Sequence, residues 1–377
     1  MKTRVTQTDI GRVAGVHNTT VSLALRNSPA IPEPTRTRIQ AIAKQMGYQP
    51  DPALQALVAY RNGLAPSRCQ ETIAYVTNWN SRWGWQEMPA HAKYYAGARR
   101  KAAQAGFQLD HFWLGEPGMT QRRLSSMLFH RGISGVILAA HRADADACDE
   151  MDWARLTAVK LGCFPHTPAL HRVTDDQSGA MRLVLERTFA AGYDRIGLVM
   201  PYWWDNFVDQ AWSAGFLARQ GRLPEGCRIP ILWHGSQDHR SPCNGRPVDL
   251  TVFANWFERY QPEAIVSCAP FVRGQIDQLG LGVPRDVAYV DLFLDGTGRS
   301  VAGVRENCEH VGEIATELLI GQMRQNRCGL PAVATTTLVE GRWVDGESLP
   351  PLRPRDQWLD ERPAPNGSDD PALVLVP

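Results

Sequence analysis

The stretch Ala14–Asn27, AGVHNTTVSLALRN, places a glycine before a polar run and a short apolar pattern. Val21, Ala24 and Leu25 recur at the spacing of one helical face. Gly15 can adopt the left-handed conformation that ends a preceding helix. The stretch therefore predicts two helices joined by a tight turn of about three residues.

Helices are predicted on both sides of this turn. Thr6 followed by Asp9 matches a capping box, so the first helix is expected to begin there and to run to about Ala14. The second is expected over about residues 18–25 and the third over about 35–46, where apolar side chains recur at i, i+3, i+4 and i+7. Three short helices with a tight turn between the first two are typical of a helix-turn-helix domain, whose second helix enters the DNA major groove.

The charge of the chain is divided between its two parts. Residues 1–68 carry nine Lys/Arg and three Asp/Glu, a net +6, and the totals of 40 and 39 leave 31 against 36, a net −5, for the remainder. A basic segment attached to an acidic body is typical of a polyanion-binding module. The alternative is a three-helix bundle whose polar residues only face water, but the charge and the turn together favour DNA binding. We expect base-edge contacts from Asn18, Thr19 and Leu23, and phosphate contacts from Thr20, Ser22 and Arg26.

Composition bounds the remaining possibilities. The 377 residues exceed one typical domain, and 44% hydrophobic with 21% charged residues indicates a globular chain. No apolar run reaches the ~18 residues of a membrane helix, and the first residues do not read as a signal peptide, so we expect a cytoplasmic protein that does not contact membranes. The eight cysteines contain no C-x-x-C pair, so neither a metal site nor a redox dithiol is predicted, and no cofactor is expected.

A short helix is predicted just after the three-helix unit, in GYQPDPALQALVAYR (47–61). Asp51 is a good N-cap, and Pro52 suits the first helical position. A helix of this length is marginal on its own in water. It is expected to form only with a partner chain or with DNA.

The run from Thr6 to Leu57 resembles the lactose-repressor (LacI/GalR) family of bacterial transcription regulators, through TDIGRVAGVHNTTVSLALRN, PTRTRIQAIAKQMGYQPD and LQAL. The resemblance implies a homodimer on a pseudo-palindromic double-stranded DNA operator, with the short helix as a hinge that inserts Leu57 into the minor groove. The alternative for Leu57 is an ordinary linker residue. The expected DNA-binding residues are Thr6, His17, Asn18, Thr19, Thr20, Ser22, Leu23, Arg26, Thr35, Tyr48, Leu54 and Leu57.

Two positions depart from the usual pattern of that family. His17 stands where Ser usually caps the recognition helix, and Leu23 stands where Arg is usual. Arg reads guanine through paired hydrogen bonds, whereas Leu offers only apolar contact, for example to a thymine methyl group. We expect either a half-site that differs from the common one or a position 23 that reads no base.

The body, residues 71–345, alternates apolar runs with segments of helix length. This alternation predicts two parallel, doubly wound α/β lobes, with a ligand site at the carboxyl ends of the strands in a cleft between the lobes. Strands are predicted at 73–77, 107–114, 135–139, 158–163, 195–200, 228–233, 263–268 and 287–292, and helices near 92–105, 120–130 and 178–191.

The resemblance extends weakly over this body and implies a two-lobed, periplasmic-binding-protein-like (type I) effector and dimerisation domain. The domains are then expected to be a helix-turn-helix domain at 1–50, a hinge helix and linker at 51–70, an effector domain at 71–345, and a loosely ordered C-terminal extension at 346–377. Within the effector domain, 71–194 and 303–330 are assigned to the N-lobe, and 195–302 and 331–345 to the C-lobe.

The expected pocket departs from the family pattern. Trp212 replaces a usual Arg, Ala269-Pro270 replaces Asn-Asp, and 291–294 replaces Gly-Phe-Asp-Asp. Several of the twelve tryptophans follow predicted strands, where aromatic faces and a carboxylate can hold a sugar or an apolar ring. The alternatives are that each Trp belongs to the core and that Asp175 caps a helix. The expected effector-binding residues are Asn78, Trp79, Trp85, Asp175, Trp203, Trp212, Phe271, Asp291 and Phe293.

These patterns predict a ligand-responsive, dimeric repressor of a metabolic operon, with a sugar or sugar derivative among the candidate effectors. One alternative is a regulator that has lost effector control, and another is an α/β enzyme with a basic appendage. The chain contains no G-x-S-x-G, P-loop, H-E-x-x-H or G-x-G-x-x-G motif. We therefore expect no catalytic residues and no enzymatic activity.

Overall fold

The structure is a computed structural model that describes residues 5–25, 27–28, 30–48, 71–141, 148–163, 168–234, 249–295, 298 and 300–352. The predictions for Arg26, Leu54, Leu57, the hinge at 51–70 and the extension beyond 352 lie outside the described residues, as does the side chain of Trp203.

The N-terminal unit consists of three helices: α1 (Gln7–Ala14), α2 (Asn18–Leu25) and α3 (Glu33–Gln45). The predicted capping box is present, because the Asp9 backbone N–H donates to Thr6 Oγ1 at 3.3 Å and the Thr6 backbone N–H donates to Asp9 Oδ2 at 3.0 Å. Gly15 ends α1 at φ 66°, as predicted. α3 begins two residues before the predicted Thr35, because Pro34 is accommodated in its first turn.

A small apolar core joins these three helices. Val21 and Ala24 are fully buried in it, whereas Leu25 is only partly buried. Gly11 permits the close turn between α1 and α2, since a Cβ at this position would lie 2.8 Å from the Val16 carbonyl oxygen. The remaining buried members of this core are Ile10, Ala14, Ile39 and Ala43.

The N-lobe is built on a six-stranded parallel sheet of order β11-β5-β4-β3-β1-β2. Two helices cover one face of this sheet, α4 (Pro89–Gln104) and α11 (Cys308–Arg324), and α5 (Gln121–His130) covers the other. Its strands are β1 (Glu71–Asn78), β2 (Phe107–Trp113), β3 (Gly135–His141), β4 (Thr157–Leu161), β5 (His171–Asp175) and β11 (Thr336–Val339).

The C-lobe repeats this plan with a sheet of order β12-β10-β9-β8-β6-β7, in which only β12 is antiparallel. The two sheets confirm the predicted pair of doubly wound α/β lobes. The strands are β6 (Ile196–Pro201), β7 (Leu232–His234), β8 (Ala264–Ser267), β9 (Ala288–Asp291), β10 (Ala302–Arg305) and β12 (Arg342–Val344), and the helices are α6 (Gln177–Ala190), α7 (Tyr202–Phe207), α8 (Ala211–Gln220), α9 (Leu250–Tyr260) and α10 (Pro270–Gln278).

The assignment of segments to lobes differs from the prediction. The chain passes between lobes after β5, after β10 and after β11. α6 therefore belongs to the C-lobe, where Met181 and Val184 are buried with Leu198. β10 pairs with β9 of the C-lobe, and β11 pairs with β5 of the N-lobe. These three corrections have one cause, since local apolar patterns do not specify which distant strand becomes the partner.

Helices α4 and α11 pack in direct backbone contact. A Cβ at Gly97 would overlap the Glu309 carbonyl oxygen, and a Cβ at Gly312 would overlap the Tyr94 carbonyl oxygen. The two glycines thus permit the close approach of the helices that cover one face of the N-lobe sheet. In the described part of the chain, no helix combines the length and apolarity needed to span a membrane.

The Gly312→Ala variant is expected to unfold more easily, because the added methyl group forces α4 and α11 apart. We expect a loss of about 1–3 kcal/mol in the free energy of unfolding, measured by chemical denaturation. Gly321→Ala is the matched control on the same helix, since a Cβ there meets nothing within 4 Å. The control is expected to gain about 0.5–1 kcal/mol from the reduced entropy of the unfolded chain. Equal effects of the two substitutions would contradict the packing argument.

Candidate nucleic-acid interface and interlobe cleft

The outer face of α2 combines exposed polar groups with one apolar side chain. Asn18 and Thr19 are exposed, and Ser22 and Leu23 follow them by four residues on the same face. The opposite face of the helix is buried against α1 and α3. α2 thus presents to the outside the residues predicted to read DNA, with Leu23 half-buried at the edge of this face and Thr20 half-buried beside it.

His17 takes over the capping of α2. The Thr19 backbone N–H donates to His17 Nδ1 at 3.3 Å, and the same ring nitrogen lies 3.0 Å from Thr19 Oγ1. A side-chain acceptor for the N–H of the second helical residue is the usual function of an N-cap. The imidazole therefore supplies the capping acceptor at the start of α2.

Three other residues predicted to contact DNA lie around α2. Thr6 is exposed, but its hydroxyl is engaged in the capping box of α1. Thr35 is half-buried in the first turn of α3. Tyr48 packs against the three-helix core, and its hydroxyl accepts a hydrogen bond from Gln7 Nε2 at 3.1 Å. Their contacts with DNA stay predictions.

The two lobes meet where the carboxyl ends of their strands converge. Trp79, just beyond Asn78 at the end of β1, has its ring centroid 5.9 Å from that of Phe207 in α7. Phe293, just after β9, packs against the cores of both lobes. Lys93 of α4 forms an ion pair with Asp295 of the C-lobe. Trp79, Asn78 and Phe293 therefore lie at the interlobe cleft, and their contacts with an effector stay predictions.

Two predicted effector contacts require correction. Trp85 is fully buried in the N-lobe core, where it packs against Tyr75 and donates its indole N–H to the Arg82 carbonyl oxygen at 3.0 Å. Trp212 is 5% exposed and donates its indole N–H to Gln177 Oε1 at 2.8 Å. Both indoles are core side chains whose N–H groups have protein partners, so neither presents a free face to a ligand.

Phe271 is placed farther along the C-lobe. Its ring lies 4.9 Å from that of His234, in an edge-on arrangement, and it packs against the C-lobe core formed with α9 and α10. It is partly buried there. A contact between Phe271 and an effector stays a prediction.

Asp175 and Glu306 lie together at two of the points where the chain changes lobes. Asp175 accepts a hydrogen bond from the Tyr94 hydroxyl, and the thiol of Cys308 lies 3.9 Å from Asp175 Oδ2 and 3.8 Å from Glu306 Oε2. Burial raises the pKa of Asp175 to about 6, and burial together with the Asp175 charge raises the pKa of Glu306 well above its usual range. The alternative role of Asp175 as a helix cap is wrong, because Asp176 accepts from the Gly179 N–H at 2.8 Å.

Asp291 extends this acidic group into the C-lobe. Burial raises the pKa of its carboxyl to about 7, although Oδ1 accepts from the Phe293 N–H at 2.8 Å. Burial raises the pKa of the Cys268 thiol well above its usual range, and Asp291, Asp205 and Glu306 raise it further. We call Asp175, Asp205, Asp291 and Glu306 the acidic floor of the cleft. The sequence predicted Asp175 and Asp291 but not the other two.

Part of the acidic floor has a geometry suited to a cation. One carboxylate oxygen each of Asp175 and Glu306 and the Sγ atom of Cys308 lie within 4.8 Å of one another. Carboxylate oxygens at this separation can surround a positive charge, with the neutral Cys308 thiol beside them. The cleft therefore combines an acidic floor with the aromatic side chains of Trp79, Phe207 and Phe293.

The three-helix unit and the two lobes define a helix-turn-helix domain joined to a periplasmic-binding-protein-like α/β body. Residues 6–51 match the family model described as bacterial regulatory proteins, lacI family. The chain thus carries the N-terminal domain of that family, and the resemblance predicted from the sequence is confirmed. Both parts of the predicted fold class are confirmed as well.

Individual relatives agree with this assignment. The HTH-type transcriptional regulator CelR of Thermobifida fusca is 26% identical over 192 residues, which cover 50% of this chain and 54% of the relative. The matched region thus spans about half the length of this relative. Among solved structures, a CelR–cellobiose complex aligns over 92% of this chain and 100% of its own (TM-score 0.55, 20% identity). The lac repressor dimer bound to operator and the anti-inducer ONPF aligns over the same shares (TM-score 0.53, 18% identity).

The Asp291→Asn variant is expected to change the pH dependence of stability. The folded-state pKa of Asp291 is raised from 3.8 to about 7, so its contribution to stability is complete below the unfolded value and is lost as the pH rises through about 7. Asn is isosteric and does not ionise. The variant is therefore expected to gain stability relative to the parent between about pH 4 and pH 8, by on the order of a few kcal/mol.

This difference can be measured by thermal unfolding of both proteins at a series of pH values. Asp277→Asn, at an exposed position of the same lobe, provides the control and is expected to follow the parent at every pH. A pH-independent difference between Asp291→Asn and the parent would show that the Asp291 carboxyl is ionised throughout.

Proposed function

We propose that this protein is a ligand-responsive, dimeric transcriptional regulator that represses a metabolic operon by binding an operator. The observation that carries the proposal is the lacI-family helix-turn-helix domain, with its exposed polar α2 face, on a two-lobed body with an interlobe cleft. The lacI family consists of transcriptional regulators. That the chain has no catalytic activity, needs no cofactor and acts in the cytoplasm is part of the proposal.

The DNA-binding part of the proposal rests on charge and shape together. The net +6 of residues 1–68 supplies attraction to phosphate, which carries most non-specific affinity and weakens with salt. Asn18 and Thr19 are exposed on α2, and Leu23 is half-buried at the edge of the same face. Side chains at these positions reach base edges when such a helix enters the major groove.

A dimer on a pseudo-palindromic site follows from the geometry of this class of domain. A single α2 reads only a few base pairs, and two copies related by a two-fold axis read half-sites about 34–36 Å apart or a multiple of that distance. The lac repressor in the aligned structure is a dimer bound to operator. We extend that arrangement to this chain.

The ligand-responsive part rests on the cleft. A ligand shifts the equilibrium between two arrangements of the lobes only if it binds one arrangement more tightly. The cleft is lined by residues of both lobes, among them Trp79 and Phe293, and by the acidic floor at the passages between the lobes. The affinity of a ligand that contacts these groups therefore depends on how the lobes are arranged. The aligned CelR structure holds cellobiose, which makes small carbohydrates natural first compounds to test.

Selection from randomised double-stranded DNA with the full-length chain tests the DNA-binding function. We expect a pseudo-palindromic consensus, protection of two half-sites by a dimer, and an affinity that falls steeply with salt because phosphate contacts are lost. The double variant Asn18→Ala/Thr19→Ala is expected to lose at least tenfold in specific affinity. Thr251→Ala, on the exposed N-terminal turn of α9, is the control and should bind as the parent does. Specific binding of a monomer to an asymmetric site would refute the proposal.

The Leu23→Arg variant tests the departure from the family pattern at the recognition helix. We expect it to bind DNA but to select a different base at one position of each half-site, because Arg adds paired hydrogen bonds that favour guanine. Good bidentate contacts discriminate against the wrong base by about 1–3 kcal/mol, so the change should be clear in a randomised-site selection. An unchanged consensus would establish that position 23 reads no base.

A further inference from the structure

We infer that the interlobe cleft binds a cationic organic ligand, an amine whose ammonium group is held by the acidic floor and whose body lies against the aromatic side chains. The inference rests on the proposed function for the role of the site as an effector pocket. It concerns the charge class of the ligand, which neither the fold nor the relatives determine.

The first argument is an imbalance of charge. Among the described residues, no Lys or Arg forms a salt bridge with Asp175, Asp205, Asp291 or Glu306. Lys93, which faces the same junction, has Asp295 as its partner. Burying carboxylates without a compensating positive charge is costly, and such groups take up protons instead. A ligand that brings a positive charge relieves this cost, whereas a neutral ligand does not.

The second argument comes from buried carboxyl oxygen atoms that have no amide or hydroxyl donor. Asp175 is 1% exposed, and its Oδ1 atom has no amide or hydroxyl donor among the described residues; its carboxyl instead shares a hydrogen bond with the Glu306 carboxyl. Glu306 Oε1 is likewise buried, with no amide or hydroxyl donor among the described residues. Buried polar atoms are nearly always satisfied in folded proteins, and here the two carboxyls are satisfied only while they share a proton. A donor is needed once that proton leaves. An ammonium group supplies three N–H donors together with its charge.

The other titratable groups around the floor do not supply the missing charge. Burial lowers the pKa of His91, beside Trp79, to about 4, so this imidazole is neutral near pH 7. Burial raises the pKa of the Tyr94 hydroxyl and of the Cys308 thiol, which keeps both groups neutral. Burial likewise raises the pKa of Cys163 to about 12. Lys93 lowers the pKa of Cys308, but Lys93 is paired with Asp295. Arg172 lowers the pKa of Cys163, but Arg172 donates to the Cys163 carbonyl oxygen. Among the described residues, neither cation forms a salt bridge with a carboxylate of the floor.

The third argument is the aromatic lining. Trp79 and Phe207 face each other across the lobes at 5.9 Å, and the Lys93 ammonium already lies 5.9 Å from the centre of the Phe293 ring. Aromatic faces attract cations through their quadrupole, most strongly where water is excluded. A metal ion could use the carboxylates and the Cys308 thiol, but it would leave the aromatic lining without a role. Carboxylates beside aromatic rings fit an organic ammonium better.

Proton release distinguishes an amine from a neutral polyol. An ammonium binds to ionised carboxylates, so the protons that Asp175, Asp291 and Glu306 hold in the free protein leave when the amine binds. Affinity should then rise with pH, by up to tenfold per unit for each proton released, below the pKa of about 7 of Asp291. A neutral polyol that accepts hydrogen bonds from protonated carboxyls should lose affinity over the same interval.

The test uses the full-length chain and pairs of probes that differ only in charge. One pair is 2-hydroxyethyl β-glucoside and 2-aminoethyl β-glucoside, and the other is 2-phenylethanol and phenethylamine. Isothermal titration at about pH 6 and pH 8, in buffers of different ionisation enthalpy, measures affinity and released protons. At the higher pH, we expect at least one amine to bind at least tenfold tighter than the matching alcohol. We also expect the protein to release protons when the amine binds.

Several outcomes would overturn the inference. If no amine binds tighter than its neutral twin, the cleft does not select a cation. If Zn²⁺ or Mn²⁺ alone stabilises the chain while both amines are silent, the floor is a metal site. Asp291→Asn and Glu306→Gln should each lower the affinity for the amine at least tenfold, whereas the exposed control Asp277→Asn should not. Unchanged affinity in both folded variants would place the amine elsewhere.

The same samples separate this inference from the proposed function. If a neutral probe binds and alters operator affinity, the proposed function stands and the cationic ligand is wrong. If an amine binds in the expected way and operator affinity is unchanged, the cleft selects cations, but the chain is not a ligand-responsive regulator. If the amine binds and alters operator affinity, both are supported.

Discussion

The arrangement of the whole body depends on three passages of the chain between the lobes, which are joined to one another by hydrogen bonds. The Asp176 N–H, after β5, donates to the Val339 carbonyl oxygen at 2.9 Å, and Asn307 Nδ2, after β10, donates to the Glu340 carbonyl oxygen at 2.7 Å. Three linked passages restrict lobe motion to a hinge at this junction. Asp175 and Glu306 flank two of these passages. A change in the ionisation of their carboxyls therefore acts at the place that sets the orientation of the lobes.

The parts of the fold that are predictable from sequence are those decided by local interactions. α1 and α2 lie where predicted because a capping box begins α1, a left-handed glycine ends it, and an apolar face places α2 over residues 18–25, all within a few residues of one another. The lobe to which α6, β10 and β11 belong is not predictable in this way. Each of them is placed by partners that lie far away in sequence, such as the pairing of β11 with β5, and periodicity records burial but not the identity of the partner.

The residues of the candidate site likewise fall into those that the sequence predicts and those that it does not. Asp291 is predictable because it ends an apolar strand, where parallel sheets gather their functional groups. Asp175 ends β5, whose sequence HRVTD is too polar for the strand to be predicted, so the sequence predicts only a candidate carboxylate at this position. Glu306 follows β10, a strand too short to be recognised from the sequence, and Asp205 lies inside a helix. No sequence pattern therefore identifies either residue as part of the site. Trp85 is misplaced by sequence reasoning for another reason: an indole is equally suited to a core and to a ligand surface, and only the Tyr75 and Arg82 contacts decide between them.

Direct electrostatic interaction between the acidic floor and the basic residues of 1–68 cannot by itself link ligand binding to DNA affinity. Exposed charges are screened over about 8 Å at physiological salt. The acidic floor belongs to the body, with Asp175 and Asp205 buried and Asp291 and Glu306 half-buried, whereas the +6 charge belongs to residues 1–68. A ligand that neutralises the floor therefore changes DNA affinity only if it also changes the packing of the lobes. Trp79 against Phe207 and Lys93 against Asp295 are contacts between lobes that such a change must alter. Binding a charge at the hinge is an efficient way to alter them, because the same carboxyls that receive the charge lie where the lobes pivot.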